Sequence, residues 1–405
     1  MRTALEGIHL QDTGLVRVHG ADAVKFLQGQ LSNDVSKLSA GQSILAGYHN
    51  PQGRAVALLR LVHWDVDDIL ALVPRELAGS VAARLAKYIL RSKVKIADES
   101  ASWRVVGLID AGPADGADSA TDLPITVGTQ TIATQSRGER AVFVRVGDEP
   151  PRWLAIAPAS PADAVGALGA FPLLDYTPAD RATWQRLEVA AGQPQVYAAT
   201  SEEFVAQMLN LDALGGIAFD KGCYTGQEVI ARAHYRGRVK RRMQRFVSRG
   251  ACQLSPGDAG QLTDGRAFKV VLSAPLADGR CDFLAVTSIV GSDAAVADAA
   301  AGLSAAAGAD VVTPPAATAS VTTQAMHPDA PPTTDPTAPP VAGPIIDPTL
   351  APVAAASVAP TVAAAAALTS AAPVPGAATS VRPAAAAPAV IVDAVQLDLP
   401  YSLPE

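Results

Sequence analysis

The chain has 405 residues, of which 49% are hydrophobic and 18% charged, and its formal net charge is −7. This length suits two or three domains of about 150 residues each. The stretch 291–389 holds six aspartates and a single arginine, so it carries −5 of the net charge. Because the remainder is nearly balanced, net charge alone implies neither an acidic nor a basic partner.

In the first hundred residues, hydrophobic spacing predicts a helix, a meander of three strands, a second helix and a short strand. The first helix covers "GADAVKFLQGQLSND", with Asp22 as its N-cap. Residues 43–74 form the meander, in which Asn50-Pro51-Gln52-Gly53 has the composition of a tight turn. Helical spacing resumes between Leu77 and Leu85 and precedes the strand "KVKIAD".

The second half predicts a helix and then a small β domain. The helix restarts near Pro178, with Trp184 and Leu187 on its inner side. From about residue 246, short alternating segments separated by "SPGD", "TDGR" and "ADGR" turns are typical of a barrel. The final "AVIVDAVQLDLPYSLPE" predicts a strand that returns to this domain, which makes the low-complexity stretch before it an insertion.

The cysteines and the hydropathy pattern narrow the class of protein. Cys223, Cys252 and Cys281 are too few and too widely spaced for a disulfide framework, and their spacing is not that of a metal site. No segment has the apolar length of a signal peptide or a membrane span. A soluble protein of the cytoplasm is therefore expected.

One motif, "KGCYTGQEVIARAHYRGRVKRR" at 221–242, carries the most chemistry. Thr225 and Glu228 fit a capping box, which predicts a helix from about residue 226 to Tyr235. Cys223 would then lie just before a helix N-terminus and two residues from Lys221, and both features favour its thiolate. The alternative is a buried cysteine that packs as a small hydrophobic residue.

A basic run continues from this motif, with no acidic residue between Glu228 and Asp258. Such a run can bind a polyanion, either nucleic acid or a polyglutamate tail. It is equally typical of a solvated strand pair whose arginines meet carboxylates elsewhere on the surface. Its members are Arg232, Arg236, Arg238, Lys240, Arg241, Arg242, Arg245 and Arg249.

The motif and the preceding "FVAQMLNLDALGGIAFD" closely resemble the signature of the YgfZ family, whose members are related to the T protein (aminomethyltransferase) of the glycine cleavage system. The resemblance extends to "GADAVKFLQGQLSNDV", "NPQGRAVA" and "YILRSKVKI". It implies an α+β fold, with a folate-binding body of two interleaved subdomains and a small C-terminal β-barrel around a central hole. The expected domains are 1–245 for the body, with its second subdomain at roughly 45–100 or 103–165, 246–292 plus 389–405 for the barrel, and 293–388 for the linker.

The resemblance also implies a function: a tetrahydrofolate-binding protein that supports iron–sulfur cluster assembly or repair in client enzymes, including one that thiomethylates tRNA. Because they match the family motif, Cys223 and Lys221 are the expected catalytic residues. The expected partners are folate, iron–sulfur client or assembly proteins, and tRNA through a weak contact at 232–249, with neither a metal nor a membrane. The expected cofactor-binding residues are Asn210, Asp212, Tyr224, Gln227, Glu228 and Arg232.

The chain departs from the T-protein pattern at one informative place. Where that protein has a "GG-x-x-DD" stretch, the aligned residues here run from Gly53 to Leu58, with Ala57 and Leu58 in place of the two acids. Because an apolar pair cannot take up a proton or stabilise an iminium ion, no classical turnover is expected. Two alternatives stay open: a folate-dependent aminomethyltransferase or demethylase, and a direct tRNA-binding module.

Overall fold

The computed structural model describes residues 5–110, 123, 126–134, 140–159, 170–171, 174–237, 239–289 and 390–404, so the predicted linker at 293–388 lies outside the described residues. The helices are α1 (Ala23–Gln28), α2 (Arg75–Ala86), α3 (Arg181–Ala190) and α4 (Gln227–Tyr235), with 3₁₀ turns at Val35–Lys37, Ala198–Thr200 and Ala206–Leu209. None of these helices is long and apolar enough to cross a bilayer.

The strands form three main sheets and one short hairpin. They are β1 (Leu5–His9), β2 (Thr13–His19), β3 (Ser43–His49), β4 (Ala55–Asp65), β5 (Asp68–Pro74), β6 (Lys95–Asp98), β7 (Trp103–Asp110), β8 (Gln130–Thr134), β9 (Arg140–Asp148), β10 (Pro151–Pro158), β11 (Ala170–Phe171), β12 (Leu174–Asp175), β13 (Thr177–Pro178), β14 (Arg241–Ser248), β15 (Ala259–Leu262), β16 (Ala267–Pro275), β17 (Cys281–Ser288), β18 (Val390–Val392) and β19 (Ala394–Leu397).

The first sheet has the order β3-β4-β5-β2-β6 and contains the predicted meander, which is confirmed. The turn between β3 and β4 closes through the Gly53 amide, which donates to the Asn50 carbonyl at 2.9 Å. Gly53 has φ +72°, a conformation that glycine adopts without strain. Asp22 is the N-cap of α1, but its carboxylate accepts from the Lys93 amide instead of capping its own helix.

The second sheet has the order β13-β1-β7-β10-β9-β8 and packs face to face on the first. Apolar side chains from β2, β4 and β5 meet those from β1, β7, β9 and β10 in one core cluster. Trp184 of α3 is buried in this cluster and lies so close to Gly107 that a β-carbon there would meet the indole at 2.6 Å. Helix α3 is therefore held against both sheets, as the inward position of Trp184 predicted.

The third sheet has the order β18-β15-β16-β17-β14-β19 and curls into a half-barrel around stacked phenylalanines. The chain end supplies both edge strands: β18 pairs in parallel with β15, and β19 pairs antiparallel with β14. The predicted returning strand is thus confirmed. Three mixed or antiparallel sheets with separate short helices also confirm the expected α+β class.

Candidate functional site

Lys221 anchors the motif loop to the end of α1 and to the segment that follows it. Its Nζ donates to the carbonyls of Gln28 at 2.8 Å, Leu31 at 2.6 Å and Asn33 at 2.8 Å. An ammonium group has three protons, and these carbonyls use all of them. No ammonium proton is left to donate to the sulfur of Cys223, so Lys221 can favour the thiolate only through its charge.

The Lys221 ammonium is also removed from bulk water. Burial lowers its pKa to about 8, while the carboxylate of Asp34 acts in the opposite direction. The ammonium lies 5.1 Å from the ring centroid of Tyr224. Tyr224 itself is buried, which raises the pKa of its phenol to about 12. Together these contacts make the loop base a packed structure rather than a mobile surface.

Cys223 is exposed, so the alternative of a buried, packed cysteine is wrong. The predicted capping box is also wrong. Helix α4 begins after Gly226, which has φ +83° and no side chain to cap with, and the Gln227 side chain accepts from the Tyr224 amide at 3.3 Å instead. Cys223 therefore lies three residues before the N-cap, farther from the helix dipole than the sequence predicted.

The helix itself carries the remaining predicted residues of the motif on its outer surface. Glu228 and Arg232 are both exposed and form an i,i+4 ion pair at 2.8 Å. Such exposed pairs contribute little to stability. Tyr235 is 68% exposed and joins Phe219 and His234 in an aromatic cluster, in which the Phe219 and His234 rings stack at 3.8 Å.

The side chains of Asn210 and Asp212 are buried and bonded to other parts of the chain. The carboxylate of Asp212 binds Arg242 through two hydrogen bonds of 2.9 and 2.8 Å, and both side chains are only 4% exposed. The Asn210 amide donates to the Met243 carbonyl at 2.9 Å and to the Tyr401 hydroxyl at 3.3 Å. These contacts fasten the body to β14 and to the chain end.

Much of the basic run is paired with carboxylates, as the solvated strand-pair alternative predicted. Arg238 lies outside the described residues, and Arg236 is exposed. The observed ion pairs are Arg232–Glu228, Arg242–Asp212, Arg245–Asp282 and Arg249–Asp393.

A cavity of about 120 Å³, called here the central cavity, lies where α3 meets the two packed sheets. Leu58, at the position aligned with the T-protein acid, forms part of its wall. Neither Cys223 nor any of the predicted cofactor-binding residues lines it. The apolar wall includes Leu10, Leu45, Leu58, Leu72, Val146, Leu154 and Leu272.

Five charged side chains also line the central cavity, three of them arginines. Arg181 binds Asp12 at 2.5 Å and lies 4.0 Å from Glu188. Arg152 is only 2% exposed and its Nε has no hydrogen-bond partner. Arg60 is half-buried and, among the described residues, has neither a hydrogen bond nor an ion pair, although the charge of Glu188 acts on it.

These charges stand in a poorly hydrated setting. Burial raises the pKa of Glu188, and the neighbouring Arg181 opposes that change. Burial lowers the pKa of Arg60 to about 10 and also lowers that of Arg152. Since electrostatic interactions strengthen as water is excluded, a polar ligand here would bind these groups more strongly than at the surface.

The motif-based prediction missed the charged groups of the central cavity. Arg60 interrupts the apolar strand "AVALLRLVHW", and Arg152 interrupts "PRWLAIAP". Glu188 follows Trp184 by one helical turn and so shares its inward face. A charged residue within an apolar stretch of sequence was the signal that could have found Arg60 and Arg152.

Three further cavities adjoin the central one or one another. The side cavity, of about 330 Å³, shares Leu45, Arg60 and Gln193 with it, and a surface recess of about 470 Å³ shares Asn33 and Lys37 with the side cavity. A barrel-side cavity of about 630 Å³ shares Asp12, Tyr197 and Leu272 with the central cavity.

Comparison with known proteins finds relatives in sequence. No family model matches the chain. It is 34% identical to the tRNA-modifying protein YgfZ of Pectobacterium carotovorum over 264 residues, which cover 65% of this chain and 76% of that protein. It is 32% identical to the tRNA-modifying protein YgfZ of Sodalis glossinidius over 278 residues, covering 67% of this chain and 81% of that protein.

The fold is also similar to a solved structure. The crystal structure of the glycine cleavage system aminomethyltransferase T from Bartonella henselae matches with a TM-score of 0.54, over 71% of this chain and 79% of that one. The two sequences are 16% identical, so the likeness shows the fold alone.

Proposed function

The chain belongs to the YgfZ family, whose curated members carry the name tRNA-modifying protein, and from this premise we propose that it binds a folate in its central cavity. The observation that carries the proposal is the Glu188 carboxylate, placed between apolar walls and beside donors that lack partners. The likeness to an aminomethyltransferase of the T-protein type supports it at the level of the fold.

The residues present fit a pterin. A pterin ring is flat, has apolar faces, and presents an N–H and an amino group along one edge, which a carboxylate such as Glu188 can accept together. Its carbonyl and ring nitrogens can accept from Arg152 Nε and Arg181 Nη1, which have no hydrogen-bond partner among the described residues. Leucine side chains supply the flat apolar contact that orients a ring.

A bound folate would serve as the carrier of one-carbon groups, and the side chains of the cavity would orient the folate. The wall at Leu58 is apolar, so it offers no proton acceptor at the position where the T-protein pattern has an acid. We therefore favour folate binding without aminomethyl transfer. A glycine-cleavage assay with the purified chain tests the transferase alternative, and tetrahydrofolate-dependent turnover there would establish it.

Calorimetric titration with tetrahydrofolate tests the binding site. Glu188→Gln should weaken binding by about 10- to 100-fold, because the amide replaces one acceptor with a donor and removes the charge. Glu228→Gln is the matched control, because its carboxylate lies exposed on α4 in the predicted motif. A loss of affinity in the Glu228 variant and none in the Glu188 variant would move the folate site from the central cavity to the motif.

The second part of the proposal concerns the thiol. We propose that Cys223 acts on an iron–sulfur client or assembly protein, since its side chain is exposed on a loop that Lys221 holds in place. The surface recess, lined by Phe219, Asp220 and Tyr235 from the same motif region, offers room for a partner. One cysteine cannot hold a cluster alone, because such clusters usually take four thiolates.

Complementation of a strain that lacks the protein tests the thiol. Cys223→Ala should abolish complementation while leaving the melting temperature unchanged, because the side chain packs against little. Cys252→Ala, a half-buried cysteine in the half-barrel, should complement. Full complementation by Cys223→Ala would remove the thiol from the mechanism.

Direct tRNA binding is a second candidate, favoured by the exposed Tyr235 beside the exposed Arg236. Contacts to phosphates predict an affinity that falls steeply with salt. The ion pairs of the basic run leave fewer cations for such contacts than the sequence suggested. Failure to retain tRNA on the immobilised protein at low salt would exclude this function.

A further inference from the structure

Arg60 occupies a position that the folate proposal does not yet explain. It lies on β4 two residues after Leu58, so both side chains project from the same face of the strand. Its side chain lines the central cavity and the side cavity together. Arg60 therefore stands where the first cavity opens into the second.

The guanidinium of Arg60 has no partner within the described part of the chain. By contrast, Arg181 is bonded to Asp12, and Arg152 lies 5.7 Å from the Trp184 ring centroid. Arg60 is half-buried, so its guanidinium has lost part of its hydration without gaining an ion pair, and that loss costs free energy. Such a group is well suited to bind an anionic ligand group that replaces the lost solvation.

The charge of the cavities points in the same direction. The three arginines of the central cavity face two carboxylates, Asp12 and Glu188, which leaves one positive charge unmatched. In the side cavity, Lys37 and Asp34 pair at 3.3 Å and so offset each other. Arg181 contacts both carboxylates of the central cavity, and of the two remaining arginines only Arg60 also lines the side cavity.

We propose that Arg60 binds a carboxylate of the ligand, so that the ligand is a folate whose acidic tail leaves the central cavity through the side cavity. This inference rests on the folate function proposed above. Guanidinium and carboxylate match as a planar fork and a planar acceptor pair, which makes arginine the suitable residue. The amide side chain of Gln42 in the side cavity can bond the amide of such a tail.

The proposal has a consequence for stability that a structural role of Arg60 would not have. If the guanidinium awaits a ligand, replacing it with the similarly long, apolar Met removes an uncompensated charge from the apoprotein. The melting temperature of apo Arg60→Met should then be equal to or higher than that of the wild type. If Arg60 instead supports the fold through Glu188, the same change lowers it.

The test compares two ligands by calorimetry: tetrahydrofolate, and a methyltetrahydropterin that lacks the acidic tail. Wild-type protein should bind tetrahydrofolate about 10- to 100-fold more tightly than the pterin. Arg60→Met should lose this preference while its affinity for the pterin is unchanged, and Arg60→Lys should keep part of it. Arg236→Met is the control, because it removes an exposed arginine of the basic run, the other candidate for the tail.

The outcomes separate the two proposals. Suppose that the wild type binds both ligands. If Arg60→Met then weakens the binding of both ligands equally, or leaves both affinities unchanged, the role of Arg60 is overturned and the folate function stands. If apo Arg60→Met melts several degrees lower or does not fold, the role of Arg60 in tail binding is overturned as well. If the wild type binds neither ligand, the folate function and the inference built on it both fail.

Discussion

At the scale of single residues, the buried polar groups of the body carry the fold rather than the chemistry. Asp212 and Arg242 illustrate this, because removing one partner of a buried, doubly bonded pair leaves the other charge unsatisfied. Lys221 has a similar role through its three carbonyl partners. Within the motif, Cys223 stands apart because its side chain is exposed.

His49 predicts how stability depends on pH. It is 1% exposed, neither ring nitrogen has a partner, and burial lowers its pKa from 6.5 to about 4. Below pH 6.5 the unfolded chain gains a proton at His49 that the folded chain does not, so stability is lost as pH falls toward 4. This group alone should cost about 2.5 kcal/mol between about pH 7 and about pH 4.5.

Urea unfolding of the wild type and of His49→Gln at the two pH values measures this contribution. The glutamine variant lacks the titrating group, so its free energy of unfolding should fall by about 2.5 kcal/mol less over the same interval. Equal losses in the two proteins would show that His49 charges in the folded state without penalty.

At the scale of elements, the loop from Lys221 to Gly226 determines where the thiol lies relative to α4. Gly226 ends this loop with φ +83°, and a β-carbon there would lie 2.5 Å from the Asn50 carbonyl oxygen. The loop is therefore pressed against the turn between β3 and β4. That contact joins two segments that are far apart in sequence.

Gly226→Ala should consequently destabilise the protein by about 1–3 kcal/mol, because it combines a left-handed backbone with a clash against main-chain atoms. Gly222→Ala is the matched control in the same loop, since nothing lies within 4 Å of a β-carbon there. Thermal unfolding measures both. A Gly226 variant as stable as the Gly222 variant would contradict the close packing of this loop.

At the scale of the whole molecule, the chain end joins the half-barrel to the body. Tyr401 donates to the Gly192 carbonyl at 2.8 Å, just after α3, and accepts from the Asn210 amide at 3.3 Å. Strands β18 and β19 bring it there by completing both edges of the third sheet. The last residues of the chain thus support the helix that carries Glu188.

Tyr401→Phe should cost about 1–3 kcal/mol, since it leaves the Gly192 carbonyl without its partner and removes one partner of Asn210. Tyr235→Phe, at an exposed tyrosine, should change stability by less than about 0.5 kcal/mol. Chemical denaturation of both variants measures the difference. If the two hydroxyls prove equally dispensable, the chain end contributes no such link.

The amino-acid sequence by itself determined the local elements and the family. Periodicity predicted the meander, the helices α2 and α3 and the returning strand, because side-chain spacing and turn residues act over a few neighbours. The motif "KGCYTGQEVIARAHYRG" determined the relationship to the YgfZ family. The exposure of Cys223 could not be chosen from sequence, since a thiol suits either a surface or a core.

Only the tertiary structure decided which charged residues meet. Arg60, Arg152 and Glu188 come from β4, β10 and α3, and the packing of two sheets against a helix places them around one cavity. The same packing bonds Asp212 to Arg242, and it bonds Lys221 to carbonyls at the end of α1 and just after it. Contacts between distant segments depend on how whole sheets pack, and no local pattern records that arrangement.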